Sequence, residues 1–157
     1  MASAVTSQKV ASNNAIISYD HDPGATSAQI VTPDGGTTKR LVPLALYETF
    51  AVGCMTSVSA SSSGATLVDI VAATDSAGTN ATTVATSGVV AADAVGDFVF
   101  VECTAAQVKE QGDADGRVYT HVAARITCSN SGDECVVTYI RGFPKFPAAN
   151  LTANAIS

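Results

Sequence analysis

From Arg117 to Cys128 the chain alternates between apolar and polar residues. Val118, Val122, Ala124, Ile126 and Cys128 share one parity, and Tyr119, His121, Arg125 and Thr127 share the other. A period of two sustained over that length marks a β-strand with one buried face. A second run, Cys135 to Arg141, follows after Ser129-Asn130-Ser131-Gly132-Asp133-Glu134, a stretch of turn formers. The two runs together predict a β-hairpin. A chain carrying this pattern is constrained to a β-rich domain.

The rest of the sequence is consistent with that constraint. Strands are expected at 15–19, 29–32, 47–59, 66–73 and 82–86. In the 47–59 segment Phe50, Val52, Cys54 and Val58 occupy the parity expected to be buried. The 66–73 segment is apolar on both faces except for Asp69, which predicts a strand covered on both sides. Its carboxylate then needs an edge, a subunit contact or a hydrogen bond, because an unpaired buried carboxylate is costly. Residues 97–102, Asp-Phe-Val-Phe-Val-Glu, are apolar on both parities and predict a central strand. Thr104 and Gln107 have the spacing of a capping box, and Gly112 stands where a C-cap belongs, so one short helix is expected near 105–111. Pro144 and Pro147 remove ladder donors, so the segment from 143 onward reads as an extended tail. Many short strands, one helix and frequent Gly/Ser/Asn turns predict an all-β fold, an antiparallel β-sandwich or jelly-roll-like barrel. The expected organisation is a flexible arm at 1–14, a single β-domain at 15–142 and a tail at 143–157.

Composition narrows the function. Charged residues are 14% of the chain, against about 25% in ordinary soluble domains. The formal charge is −6 and no basic run occurs. Nucleic acid and anionic membranes are therefore disfavoured as partners. No stretch approaches the length of a membrane span. Residues 1–9 lack the basic and apolar regions of a signal peptide, so the chain is expected to be made in a cytoplasm. The four cysteines, Cys54, Cys103, Cys128 and Cys135, lack the close pairing of zinc or redox motifs. Cys54, Cys103 and Cys128 lie in apolar runs, where a thiol acts as a small hydrophobe. Cys128 and Cys135 flank the expected turn and are candidates for a bridge, although nothing points to an oxidising compartment.

Residues capable of chemistry are sparse. His121 falls on the polar face of its strand. Asp20-His21-Asp22-Pro23-Gly24 contains metal-ligand types but is also ordinary turn sequence. Asp113-Ala114-Asp115-Gly116 holds a fragment of a calcium loop without the distal ligands. No nucleophile elbow, phosphate-cradling loop or dinucleotide fingerprint is present. The expectation is a non-enzymatic protein with no cofactor and no metal.

In style the chain resembles the small structural proteins of tailed bacteriophages, most of all head decoration (cement) proteins. The resemblance lies in the Ala/Thr/Ser/Val-rich, Trp-free, acidic composition and in residues 94–102, 122–126, 137–142 and 151–154. It implies a virion protein that binds the major capsid protein on the outside of an assembled capsid, as a homo-oligomer with a trimer favoured. The segment Phe143, Pro144, Lys145 and Phe146 is the candidate partner contact, together with the N-terminal arm. The alternative is a receptor- or carbohydrate-binding β-module of a phage fibre, tail or surface adhesin, whose sites sandwich folds carry on loops.

Overall fold

Two antiparallel sheets face each other across one core in the computed structural model, which describes residues 15–21, 29–30, 41–45, 47–60, 64–88 and 94–144. The first sheet contains β1 (Ala15–His21), β4 (Tyr47–Val58), β7 (Phe98–Thr104) and β9 (Glu134–Pro144), in the order β1-β9-β4-β7. The second contains β2 (Gln29–Ile30), β5 (Ala65–Ala73), β6 (Thr82–Thr86) and β8 (His121–Cys128), in the order β2-β8-β5-β6. Short β3 (Val42–Pro43) also pairs with β8. Among the described residues one helix, α1 (Ala105–Asp115), follows β7 directly. The fold is an all-β antiparallel sandwich, as the alternation predicts, with a single short helix among the described residues.

Inward-facing residues of both sheets fill the core. Phe50, Val52 and Cys54 of β4 and Val137 and Tyr139 of β9 meet Val68 and Ile70 of β5 and Val122, Ala124 and Ile126 of β8. Each large apolar side chain buried here contributes about 1.5–3 kcal/mol. The Phe50 and Tyr139 rings pack at 5.6 Å between centroids. The Tyr139 hydroxyl accepts the Ala124 N–H at 3.1 Å, a hydrogen bond from one sheet to the other. Ala124 falls in the interval between the β2 and β3 pairings of β8. Strand β5 is covered on both faces, as expected, because Val71, Ala73 and Ala123 pack outside the second sheet with Leu41, Ile30 and Ala81.

Several elements differ from the sequence expectation. The 117–141 region does not form a hairpin. β8 pairs with β5, β2 and β3, whereas β9 pairs with β4 and β1 in the opposite sheet. Period two specifies which face is buried and leaves the lateral partner open, and here the two buried faces oppose each other across the core. Buried Asp133 holds the crossing: its carboxylate accepts the Ala60 N–H at 2.9 Å and the Asn130 N–H at 2.8 Å.

Strand β8 also begins later than expected. Residues 117–120 are tied elsewhere, with Arg117 N–H donating to Gly112 O, Thr120 N–H to Ala73 O, and Leu44 N–H to Thr120 O. Val118 is consequently 78% exposed and Tyr119 buried, the reverse of their expected parity. Val58 is exposed because the β4–β9 register shifts between Thr56 and Val58, and a bulge flips the face presented.

The helix runs four residues past 111, and its C-cap is Gly116 at φ 64°. Gly112 is needed for a different reason: a Cβ there would lie 2.6 Å from Arg117 O. The capping box at Thr104 and Gln107 forms as predicted. Strand β7 is the last strand of its sheet, not a central one. Strand β9 continues through Phe143 to Pro144, opposite Tyr47. The β1 pairing has already stopped at Arg141, so the proline sits at the strand end where its missing N–H costs no central ladder bond.

Candidate functional site

The outer face of the first sheet is the candidate interaction surface. On β7 the odd residues Val99, Val101 and Cys103 point inward, which turns Phe98, Phe100 and Glu102 to solvent. Phe98 is 59% and Phe100 50% exposed. Their rings stack at 6.3 Å between centroids, inclined by 27°. The register places Met55 and Val136 in line with Phe98, Gly53 and Thr138 in line with Phe100, and Ala51 and Ile140 in line with Glu102. Gly53 gives the platform its shape, because a Cβ there would stand 2.6 Å from Cζ of Phe98. The Phe98 ring lies in the space that this missing side chain leaves. With each Phe contributing 150–250 Å², the pair leaves on the order of 200 Å² of apolar surface in water.

The sequence concealed this platform, since Phe-Val-Phe-Val reads equally as a strand buried on both sides. The distinguishing signal is Gly53, whose missing side chain admits the Phe98 ring.

A second feature is a cleft of about 430 Å³ beside the helix. Leu44, Ala45, Val108, Gly112 and Val118 supply apolar lining, with Lys109, Asp113 and Arg117 among its polar groups. Lys109 and Asp113 pair with each other one helical turn apart. The Tyr119 hydroxyl donates to Asp115 at 2.6 Å. That bond lowers the Asp115 carboxyl below its ordinary value and raises the Tyr119 hydroxyl above its own.

Among the described residues, no group of three or more His, Cys, Asp or Glu is disposed to hold a metal ion, and no helix is long and apolar enough to cross a membrane. Asp113 and Asp115 close the helix, with Asp115 accepting from Gln111 and Tyr119. His121 is half-buried beside Thr120, whose Oγ1 is 2.8 Å from Nδ1. All four cysteines are buried, and none is in a disulfide. Burial raises the Cys103 thiol to about 12, with a smaller contribution from Glu102. The hydrogen bond with Cys128 pulls the Cys135 thiol down, but one with Cys54 and burial outweigh it and leave it near 12. Thiols held this high are poor nucleophiles at neutral pH.

Of the candidate contact residues, Phe143 and Pro144 lie on the end of β9, and Lys145 and Phe146 fall outside the described residues. Residues 1–14 and 22–24, the expected arm and most of the expected Asp/Pro/Gly turn, also fall outside them. Compared with protein-family models, with curated proteins and with solved structures, the chain matches none of them.

Proposed function

We propose that the protein is a non-enzymatic structural component of a bacteriophage virion. In this reading it binds the major capsid protein on the outer surface of an assembled capsid and stabilises the shell, as a homo-oligomer with a trimer favoured. The observation that carries the reading is the exposed, stacked Phe98–Phe100 platform on an edge strand of the sandwich. Aromatic residues are enriched where proteins contact one another. A standard interface buries about 800 Å² per partner, so the two rings form the centre of such a contact and neighbouring residues its rim. Phe143 and Pro144 end β9 of the same sheet, and the 143–146 segment adds to the contact in this reading. A low charge content suits surface that is covered by partners.

The test is co-sedimentation of the purified chain with assembled capsids of the virus that encodes it. Phe98→Ser with Phe100→Ser is expected to abolish binding while the β-sheet circular dichroism is retained. Removing 145–157, which leaves β9 intact, is expected to weaken binding. Wild-type binding by the double Phe variant refutes the reading.

The helix-side cleft favours a second reading, a receptor- or carbohydrate-binding module, because it combines apolar walls with Lys109, Asp113 and Arg117. Reproducible binding to one sugar class on a glycan array, lost on Arg117→Ala, would select it over the first.

A further inference from the structure

Cys128 ends β8 in the second sheet and Cys135 lies at the start of β9 in the first. Both side chains are buried, and their sulfurs are 3.9 Å apart across the interior. A disulfide needs about 2.05 Å, so closure requires a net approach of roughly 2 Å. Cys54 also hydrogen-bonds Cys135, but the two are diagonal on neighbouring strands, since Cys54 pairs with Val137 and Thr56 with Cys135. Diagonal Cβ atoms stand well beyond the 3.5–4.5 Å that a disulfide spans. The cross-sheet pair is therefore the one positioned to close.

We propose that Cys128 and Cys135 form a thiol pair that oxidises to a disulfide joining the two sheets. With oxidised glutathione as oxidant, one cysteine thiolate attacks a glutathione sulfur, forming a mixed disulfide and releasing one glutathione thiolate. The second cysteine thiolate then attacks the protein sulfur of that mixed disulfide and displaces the other glutathione. Two S–H bonds are lost and one S–S bond forms. The two electrons reduce oxidised glutathione to two glutathione molecules, which take up the two protons. Reagent enters when the 129–133 turn opens, and the reaction quickens as pH rises because the thiolate is the reacting form. This inference stands apart from the proposed function.

The test exposes the full chain to oxidised glutathione at mildly alkaline pH, then quenches, denatures, alkylates and maps the peptides by mass spectrometry. Half of the four thiols are expected to disappear into a Cys128–Cys135 link that reductant reverses. The unfolding midpoint is expected to rise by about 5–10 °C. Cys54→Ser and Cys103→Ser are expected to keep the link and Cys128→Ser to lose it. Four free thiols after repeated cycling through urea with the oxidant present, or a Cys54–Cys135 link, overturns the proposal.

Discussion

Replacing Arg125 with Met is expected to cost more stability than replacing its partner, Asp69, with Asn. The Asp69 side chain is 5% exposed and that of Arg125 29%. One oxygen, Oδ2 of Asp69, accepts from Nη2 of Arg125 at 2.6 Å and from Nε at 3.2 Å, while Nη2 also donates to Thr83 Oγ1. Arg125→Met leaves a carboxylate stranded beside Val71 and Ala123 on the covered outer face of the second sheet, a loss of about 3–5 kcal/mol for a buried ion. Asp69→Asn leaves a guanidinium that already reaches solvent and keeps Thr83, so its loss is smaller, about 1–2 kcal/mol. Asp69→Leu combined with Arg125→Met removes both charges and is expected to recover most of the stability, because apolar replacement of a buried pair is often neutral. Urea and thermal unfolding followed by circular dichroism measure all three. At about 2–4 °C per kcal/mol for a chain this size, the first variant lowers the midpoint by roughly 6–20 °C. An Arg125→Met loss no larger than that of Asp69→Asn, or a double variant worse than both, would refute the assignment of Asp69 as the shielded partner.

Other perturbations test separate parts of the fold. Gly112→Ala places a Cβ against the backbone carbonyl of Arg117, the residue whose N–H donates to Gly112 O just after the helix. It is expected to destabilise by about 1–3 kcal/mol despite the better helix propensity of Ala, as thermal denaturation will show. Tyr139→Phe removes the cross-sheet acceptor of the Ala124 N–H and is expected to cost about 1–2 kcal/mol with the fold unchanged, with faster hydrogen exchange at Ala124 by NMR. The Asp75 carboxyl is lowered from its ordinary 3.8, first by its side-chain and then by its backbone hydrogen bond with Thr79, and Asp115 is lowered by Tyr119 and then Gln111. A lowered folded value stabilises the native state above the ordinary value, and that contribution disappears as pH falls through the folded one. The 75–79 turn and the helix C-terminus are therefore expected to loosen below about pH 4, seen as titration of both carboxyls below the ordinary range by NMR.

The sandwich was legible because it rests on periodicity, and periodicity survives in β4 and β8 even where the ends slip. What the pattern could not carry was lateral pairing. Cys128 and Cys135 look like hairpin neighbours in sequence, yet each strand finds its partners more than forty residues away, at Ala65 and Thr56. Gly112 shows the same limit in a helix: a glycine at a plausible cap position was needed instead for close approach to Arg117. Asp69 was readable as a carboxylate in need of a partner. Its partner, Arg125, appeared in the sequence only as a polar-face residue of a strand, because the register that joins them is tertiary.

The site was less legible than the fold, since Phe98-Val99-Phe100-Val101 has the same composition whether a strand is central or at an edge. The difference lies in how the two outer faces are treated. Leu41, Ile30 and Ala81 cover the outside of the second sheet, and its one buried carboxylate is paired. On the first sheet the corresponding face carries Ala51 and Gly53 at its middle and leaves two stacked aromatic rings in water at its edge. Exposing those rings costs the isolated chain solvation free energy with no return in core packing. In the reading proposed above, a partner covers them. Gly53→Ala separates the two roles, because the Phe98 ring is free to swing from an added methyl. Stability is expected to change by less than about 1 kcal/mol while partner binding falls. Unchanged binding together with a displaced Phe98 ring would show that the platform's shape is irrelevant to recognition.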